Sequence, residues 1–195
     1  EEPGDWNCGN VQSVGVCCLV VGDRLHFYVS GRAGKMYPGS PSEDAGMTTG
    51  VAFLRRDGFA SMNAAAVTGT LTTRPLSFKG KRLFVNLDAP DGELRAELLD
   101  LDGSPIAPFT RENCRPLKLD ATLAELRWHG AADLSAHAGK PVRLRFHLKQ
   151  GSLYSFWVSP DESGASLGYV AAGGPGYTSQ RDTVGRNADD RGHRS

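Results

Sequence analysis

Histidine, cysteine, serine and carboxylate side chains are the groups that could do chemistry here, and their spacing argues against most of it. The five histidines (His26, His129, His137, His147 and His193) form no HxH or HxxxH pair, the kind of spacing that brings two imidazoles to one zinc ion. Cys8, Cys17, Cys18 and Cys114 include no CxxC. Adjacent Cys17 and Cys18 point to opposite faces of a strand, so the four read as free buried thiols rather than a disulfide framework or a metal pair. Residues 39–43 (GSPSE) and 163–166 (SGAS) miss the GxSxG nucleophile elbow. Asp100-Leu101-Asp102-Gly103 opens like a calcium loop, but no closing glutamate stands at its twelfth position. Asp88, Asp91, Asp100 and Asp102 then read as turn formers. The expectation is no metal and no cofactor. Flat exposed rings can stack on sugar faces, which makes Trp6, Trp128 and Trp157 the candidates for that contact.

The elements that would position these groups are strands. Val142, Leu144, Phe146 and Leu148 alternate with Arg143, Arg145, His147 and Lys149, the period of a strand with one buried face. Ser152–Val158 returns from it. A Lys149-Gln150-Gly151 loop would place Phe146 opposite Tyr154 and Leu144 opposite Phe156, with Gly151 in the left-handed position. Trp157 then falls on the polar face, under Arg143 as a cation–π pair. Arg82–Asp88, Glu93–Leu99 and Thr122–Trp128 alternate in the same way, with turn chemistry between them. Asp133–Ala138 suits one helical turn capped by Asp133. The predicted core is Leu83, Val85, Leu94, Leu144, Phe146, Phe156 and Val158.

Upstream, Gly15–Val21 and Arg24–Ser30 flank a Gly22-Asp23 turn, a hairpin signature. Gly50–Arg55 follows a long Gly/Pro-bearing loop, and Phe59–Met62 suggests a short fourth strand. Residues 1–64 therefore read as an antiparallel meander, too small to stand alone. Residues 65–160 read as a β-sandwich. Residues 161–195 are Gly-rich and poor in apolar side chains, the composition of a disordered tail. The predicted class is all-β, an antiparallel sandwich preceded by a small meander.

Lys plus Arg and Asp plus Glu number 22 each. A balanced charge argues against a nucleic-acid binder, which shows a basic excess, and against docking on an acidic membrane. No apolar run reaches the roughly 18–20 residues of a membrane span. The chain opens at Glu1 without Met or a visible signal peptide, so either a leader was removed or this is a piece of a longer polypeptide, and the piece is the expectation.

Three stretches carry a resemblance. DWNCGNVQSVGVCCLVVGDRLHFYVSG (5–31), TGVAFLRRDGFASM (49–62) and the segments RPLSFKGKRLFVNLD, GELRAELLDLDGSPI and GKPVRLRFHLKQGSLYSFWV resemble the C-terminal end of bacterial proteins similar to glycoside hydrolase family 32. The resemblance covers about residues 5–158. It implies that residues 1–64 are a closing propeller blade, that 65–160 are the sandwich beside it, and that the parent is secreted or periplasmic. Its catalytic residues come from early blades, in a WMNDPN-like motif, an Arg-Asp-Pro and a Glu-Cys. Asp5-Trp6-Asn7, Arg56-Asp57-Gly58 and Glu112-Asn113-Cys114 only look like them, so no catalytic residue is expected in this chain. The resemblance implies an accessory region of a carbohydrate-active enzyme that stabilises an upstream propeller and contacts glycan through Trp6, Trp157 or the Arg55-Arg56-Asp57 corner. The alternative is a stand-alone β-sandwich binding carbohydrate or protein.

Overall fold

The computed structural model describes residues 5–7, 9–13, 15, 18–32, 47–170 and 172–188. Cys8, Cys17, His193, the 39–43 stretch and the last seven residues of the expected tail lie outside them. Within them the chain is all-β and antiparallel, with eleven strands and two single 3-10 turns.

The first sheet is built on β3 (Arg24–Arg32). β4 (Met47–Arg55) pairs along its whole length on one side. On the other side, β2 (Leu19–Val21) and β1 (Asn10–Ser13) pair end to end along β3. The hairpin around Gly22-Asp23 forms as predicted, with Gly22 at φ +57°. β1 forms in a stretch for which the sequence named no strand.

The sandwich has two sheets. One is β6 (Gly69–Thr72), β10 (Arg143–Lys149) and β8 (Glu93–Leu99), with β10 central. The other runs β5 (Met62–Ala64), β11 (Gly151–Ser159), β7 (Arg82–Asp88), β9 (Asp120–Leu126). Leu83, Val85, Leu87, Leu94, Leu98, Leu144 and Phe146 fill the space between them, and Phe156 and Val158 pack in partly buried. Burial of seven such side chains, at about 1.5–3 kcal/mol each, is the main force holding the sheets together. β5 belongs to this sandwich through its pairing with β11, so the short strand after Phe59 is no part of the meander.

Three features of the β10–β11 prediction are corrected. The two strands lie in different sheets: β10 pairs β8 in a seven-residue register, and β11 pairs β7. Their apolar faces meet across the core, with the Phe146 and Phe156 rings 5.0 Å apart, where a hairpin would have set them side by side. The left-handed residue of the crossover is Gln150, at φ +48°. Gly151 is needed for another reason: a Cβ there would stand 2.6 Å from the Asp88 carbonyl oxygen and 2.5 Å from the Ala89 Cβ. A bulge between Leu153 and Ser155 turns Tyr154 away from the core. Arg143 donates to the Thr73 carbonyl (3.2 Å) and makes no pair with Trp157.

The 3-10 turn Ser135–His137 stands where a helical turn was predicted. Leu134 holds the cap position in place of Asp133, whose carboxylate accepts the Ser135 N–H at 2.9 Å from one residue further out.

The residues of the expected tail that are described, 161–170 and 172–188, are packed and hydrogen-bonded, contrary to the disorder their composition suggested. Ala172 joins Cys18, Val20 and Leu25 in a second small core, with Phe27, Leu54 and Tyr177 around it. Val20 donates its N–H to the Gly173 carbonyl (3.0 Å). Buried Asp182 anchors the segment: Oδ1 accepts the N–H groups of Val184 and Gly185, and Oδ2 accepts from Ser166 and Arg56. A buried carboxylate with this many donors offsets the ordering cost that few apolar residues could not.

Candidate functional site

Four of the sequence candidates, Arg55, Arg56, Asp57 and Trp157, gather at the foot of the first sheet, where it meets the outer face of β7. That face carries Phe84 and Asn86, alternating with the core-facing Leu83, Val85 and Leu87. Both are fully buried, Asn86 at 1% exposure, because the corner after β4 and the 161–188 segment cover them.

Arg55 ends β4 and reaches over this face. Its Nε donates to Asn86 Oδ1 (2.6 Å), Nη1 to Asp120 Oδ1 (2.5 Å) and Nη2 to the Leu87 carbonyl (2.9 Å). Its guanidinium lies 4.8 Å from the centroid of the Tyr154 ring. Asn86 returns the contact by donating Nδ2 to the Arg56 carbonyl (2.6 Å). The Arg56 guanidinium bonds Asp182 (3.3 Å) and sits 5.6 Å from the Tyr177 ring. A planar fork with five donors is what such a divided set of acceptors requires. Asp57, at φ +51° and exposed, makes the turn whose Gly58 N–H returns to the Arg55 carbonyl. The Arg55-Arg56-Asp57 corner is thus a clamp between meander, sandwich and C-terminal segment.

Trp157 is also committed to structure. It stacks on Phe84 (6.0 Å, 16°) and donates Nε1 to the Gly164 carbonyl (2.9 Å). The face expected to be polar is closed by residues 163–166. Trp6 lies against the first sheet over Gly31 and Gly50, where any Cβ would collide with its ring, and is 40% exposed. Trp128 is buried, donating to the Ala96 carbonyl and packed edge-on against Phe109. The structure therefore brings Arg55 and Arg56 together, with Asp57 at their turn. Trp157 stands on the same covered face, and Trp6 stands apart on the first sheet.

Beside the clamp is an open cleft of about 300 Å³ lined by Asp23, Arg24, Phe53, Leu54, Arg55 and Asp120. Phe53 is 56% exposed, with His26 edge-on at 4.8 Å and the Arg24 guanidinium 5.7 Å from its centroid. Of its lining, sequence reasoning singled out Arg55 alone. The missed signal was strand parity: Arg24, His26 and Phe53 share one face of the first sheet through the pairs His26↔Phe53 and Arg24↔Arg55.

The same face presents Leu19, Tyr28 and Val51, exposed at 37, 43 and 39%. Pairing puts Leu19, His26 and Phe53 in one row and Tyr28 and Val51 in the next. Nothing among the described residues covers these rows, while the opposite face holds the small core around Leu25.

Among the described residues no three His, Cys, Asp or Glu side chains stand together as a metal site. Among the described residues no helix is long and apolar enough to cross a membrane. No family model, no curated protein and no solved structure matches the chain.

Proposed function

We propose that the chain is the accessory C-terminal region of a carbohydrate-active, glycoside-hydrolase-like polypeptide, seated on a preceding domain through the first sheet. The observation that carries this is the uncovered apolar face formed by Leu19, Tyr28 and Val51, with Phe53 at its edge left open to the cleft. Apolar side chains contiguous on one sheet face mark an interaction surface. Its size points to a tethered neighbour. Three strands of up to nine residues offer roughly 400–600 Å², less than the about 800 Å² per partner of a stable free complex. Attachment within one polypeptide supplies a millimolar effective concentration, which such an area can use. Asp57 has Gly58 after it and serves a turn, so hydrolysis belongs to the preceding domain.

The stand-alone module is the second reading. It is favoured by the 161–188 segment, which closes the outer face of β7 without help from outside the chain.

The test compares the isolated chain with a Tyr28→Glu/Val51→Glu variant, and with the chain joined to its preceding polypeptide. The isolated chain is expected to bind a hydrophobic dye and self-associate weakly, and the variant to do neither at an unchanged melting temperature. The preceding polypeptide is expected to slow amide exchange on β3 and β4. Unchanged exchange and dye binding in the longer polypeptide would rule out the seat.

A further inference from the structure

We infer that the cleft at the foot of the first sheet binds a neutral, hydroxyl-rich ring of a carbohydrate. This deepens the carbohydrate reading above and rests on it, but not on what covers the apolar face. Two carboxylates, Asp23 and Asp120, and two guanidiniums, Arg24 and Arg55, line the cleft. Their charges cancel, so no net field selects an anion or a cation. What remains is a dense set of acceptors and donors, the match for adjacent hydroxyls that both donate and accept.

The Arg55–Asp120 half of the set is held in place. Asp120 is tied through Oδ1 to Arg55 yet stays 56% exposed, and Asp23 and Arg24 are 72% and 60% exposed. Arg55 is fixed in turn by Asn86 and Leu87. Phe53 supplies the flat apolar surface on which the C–H face of a sugar ring lies. Contact with His26 and Arg24 sets its orientation, and more than half of it remains open. Groups already in position lose little freedom on binding. At about 300 Å³ the cleft stands at the lower end of the about 300–1,000 Å³ range of ligand sites.

The test is an amide-resolved NMR titration of the whole chain with neutral fructo-, xylo-, cello- and malto-oligosaccharides, each beside its monosaccharide. Saturable shifts are expected at Asp23, Arg24, Phe53 and Asp120 with at least one series, and the monosaccharide arm distinguishes a single-ring site from a chain site. Phe53→Ala and Asp23→Asn are expected to weaken binding about tenfold each. Neither group is part of the Arg55 clamp, so the melting temperature should hold. Binding that shifts other residues and survives both substitutions would overturn the cleft while leaving the carbohydrate reading intact. No shift with any series would overturn both, and the seat on the first sheet would still stand on its own test.

Discussion

Replacing Arg55 with alanine should loosen the first sheet from the sandwich, and the structure sets the size of the loss. Three acceptors lose their donor at once. Asp120 is more than half exposed, and water replaces the arginine there, so that pair contributes well under about 1 kcal/mol. Asn86 is different: its Oδ1 has no access to water at 1% exposure, and an unsatisfied buried acceptor costs about 1–3 kcal/mol. The Leu87 carbonyl and the contact with Tyr154 add smaller amounts. The expected loss is about 3 kcal/mol, which for a chain of this length lowers the melting temperature by about 6–12 °C. Arg55→Lys should recover only a fraction, since one ammonium cannot serve three divergent acceptors. Denaturant unfolding measures the loss, and amide exchange along β4 and β7 locates it. A loss under about 1 kcal/mol, or faster exchange confined to Arg55 itself, would refute the clamp.

Ending the chain after Pro160 should lower the melting temperature and uncover Phe84 and Trp157, visible as a red shift of tryptophan emission; an unchanged melting point would mean that the 161–188 segment does not cover them. Asp182→Ala, which strips the anchor of Arg56, Ser166, Val184 and Gly185, should cost about 2–3 kcal/mol and make the same segment protease-sensitive. Phe146→Ala removes a side chain 1% exposed at the centre of the core and should cost about 3–5 kcal/mol in denaturant unfolding. Burial pushes the Cys114 thiol up to about 11. The folded chain therefore keeps a proton that the unfolded chain releases from about pH 8.5. Its contribution to stability is intact below that pH and is lost as pH rises toward 11, which Cys114→Ala should flatten in a stability–pH profile. A native Cys114 that reacts rapidly with a thiol reagent at pH 8 would contradict its burial.

Period-two alternation in Arg82–Asp88, Glu93–Leu99 and Arg143–Lys149 determined by itself that the chain is antiparallel β, and which side chains face the core. Parity along a strand is local, set by the pleat, and needs no partner to be named. The Gly22-Asp23 turn was legible for the same reason: two residues between β-rich runs leave few alternatives. Which strand pairs with which was not local. The apolar faces of β10 and β11 are satisfied equally as neighbours in one sheet or as opposite walls of one core. Only the competing seven-residue pairing with β8, and the close approach of Gly151 to Asp88, made them opposite walls. The site residues divide along the same line. Arg55, Arg56 and Asp57 stood out as a charged corner after a strand, but their use as a clamp depends on Asn86, Asp120 and Asp182, residues 31, 65 and 126 positions away in the chain. Phe84 and Asn86 hinted at it, being a ring and an amide on the face of β7 that should have been solvated. The 161–188 segment looked too polar to fold because composition counts apolar area. It is held instead by hydrogen bonds to one buried carboxylate, whose strength comes from a desolvated site that exists only once the first sheet and the sandwich have come together.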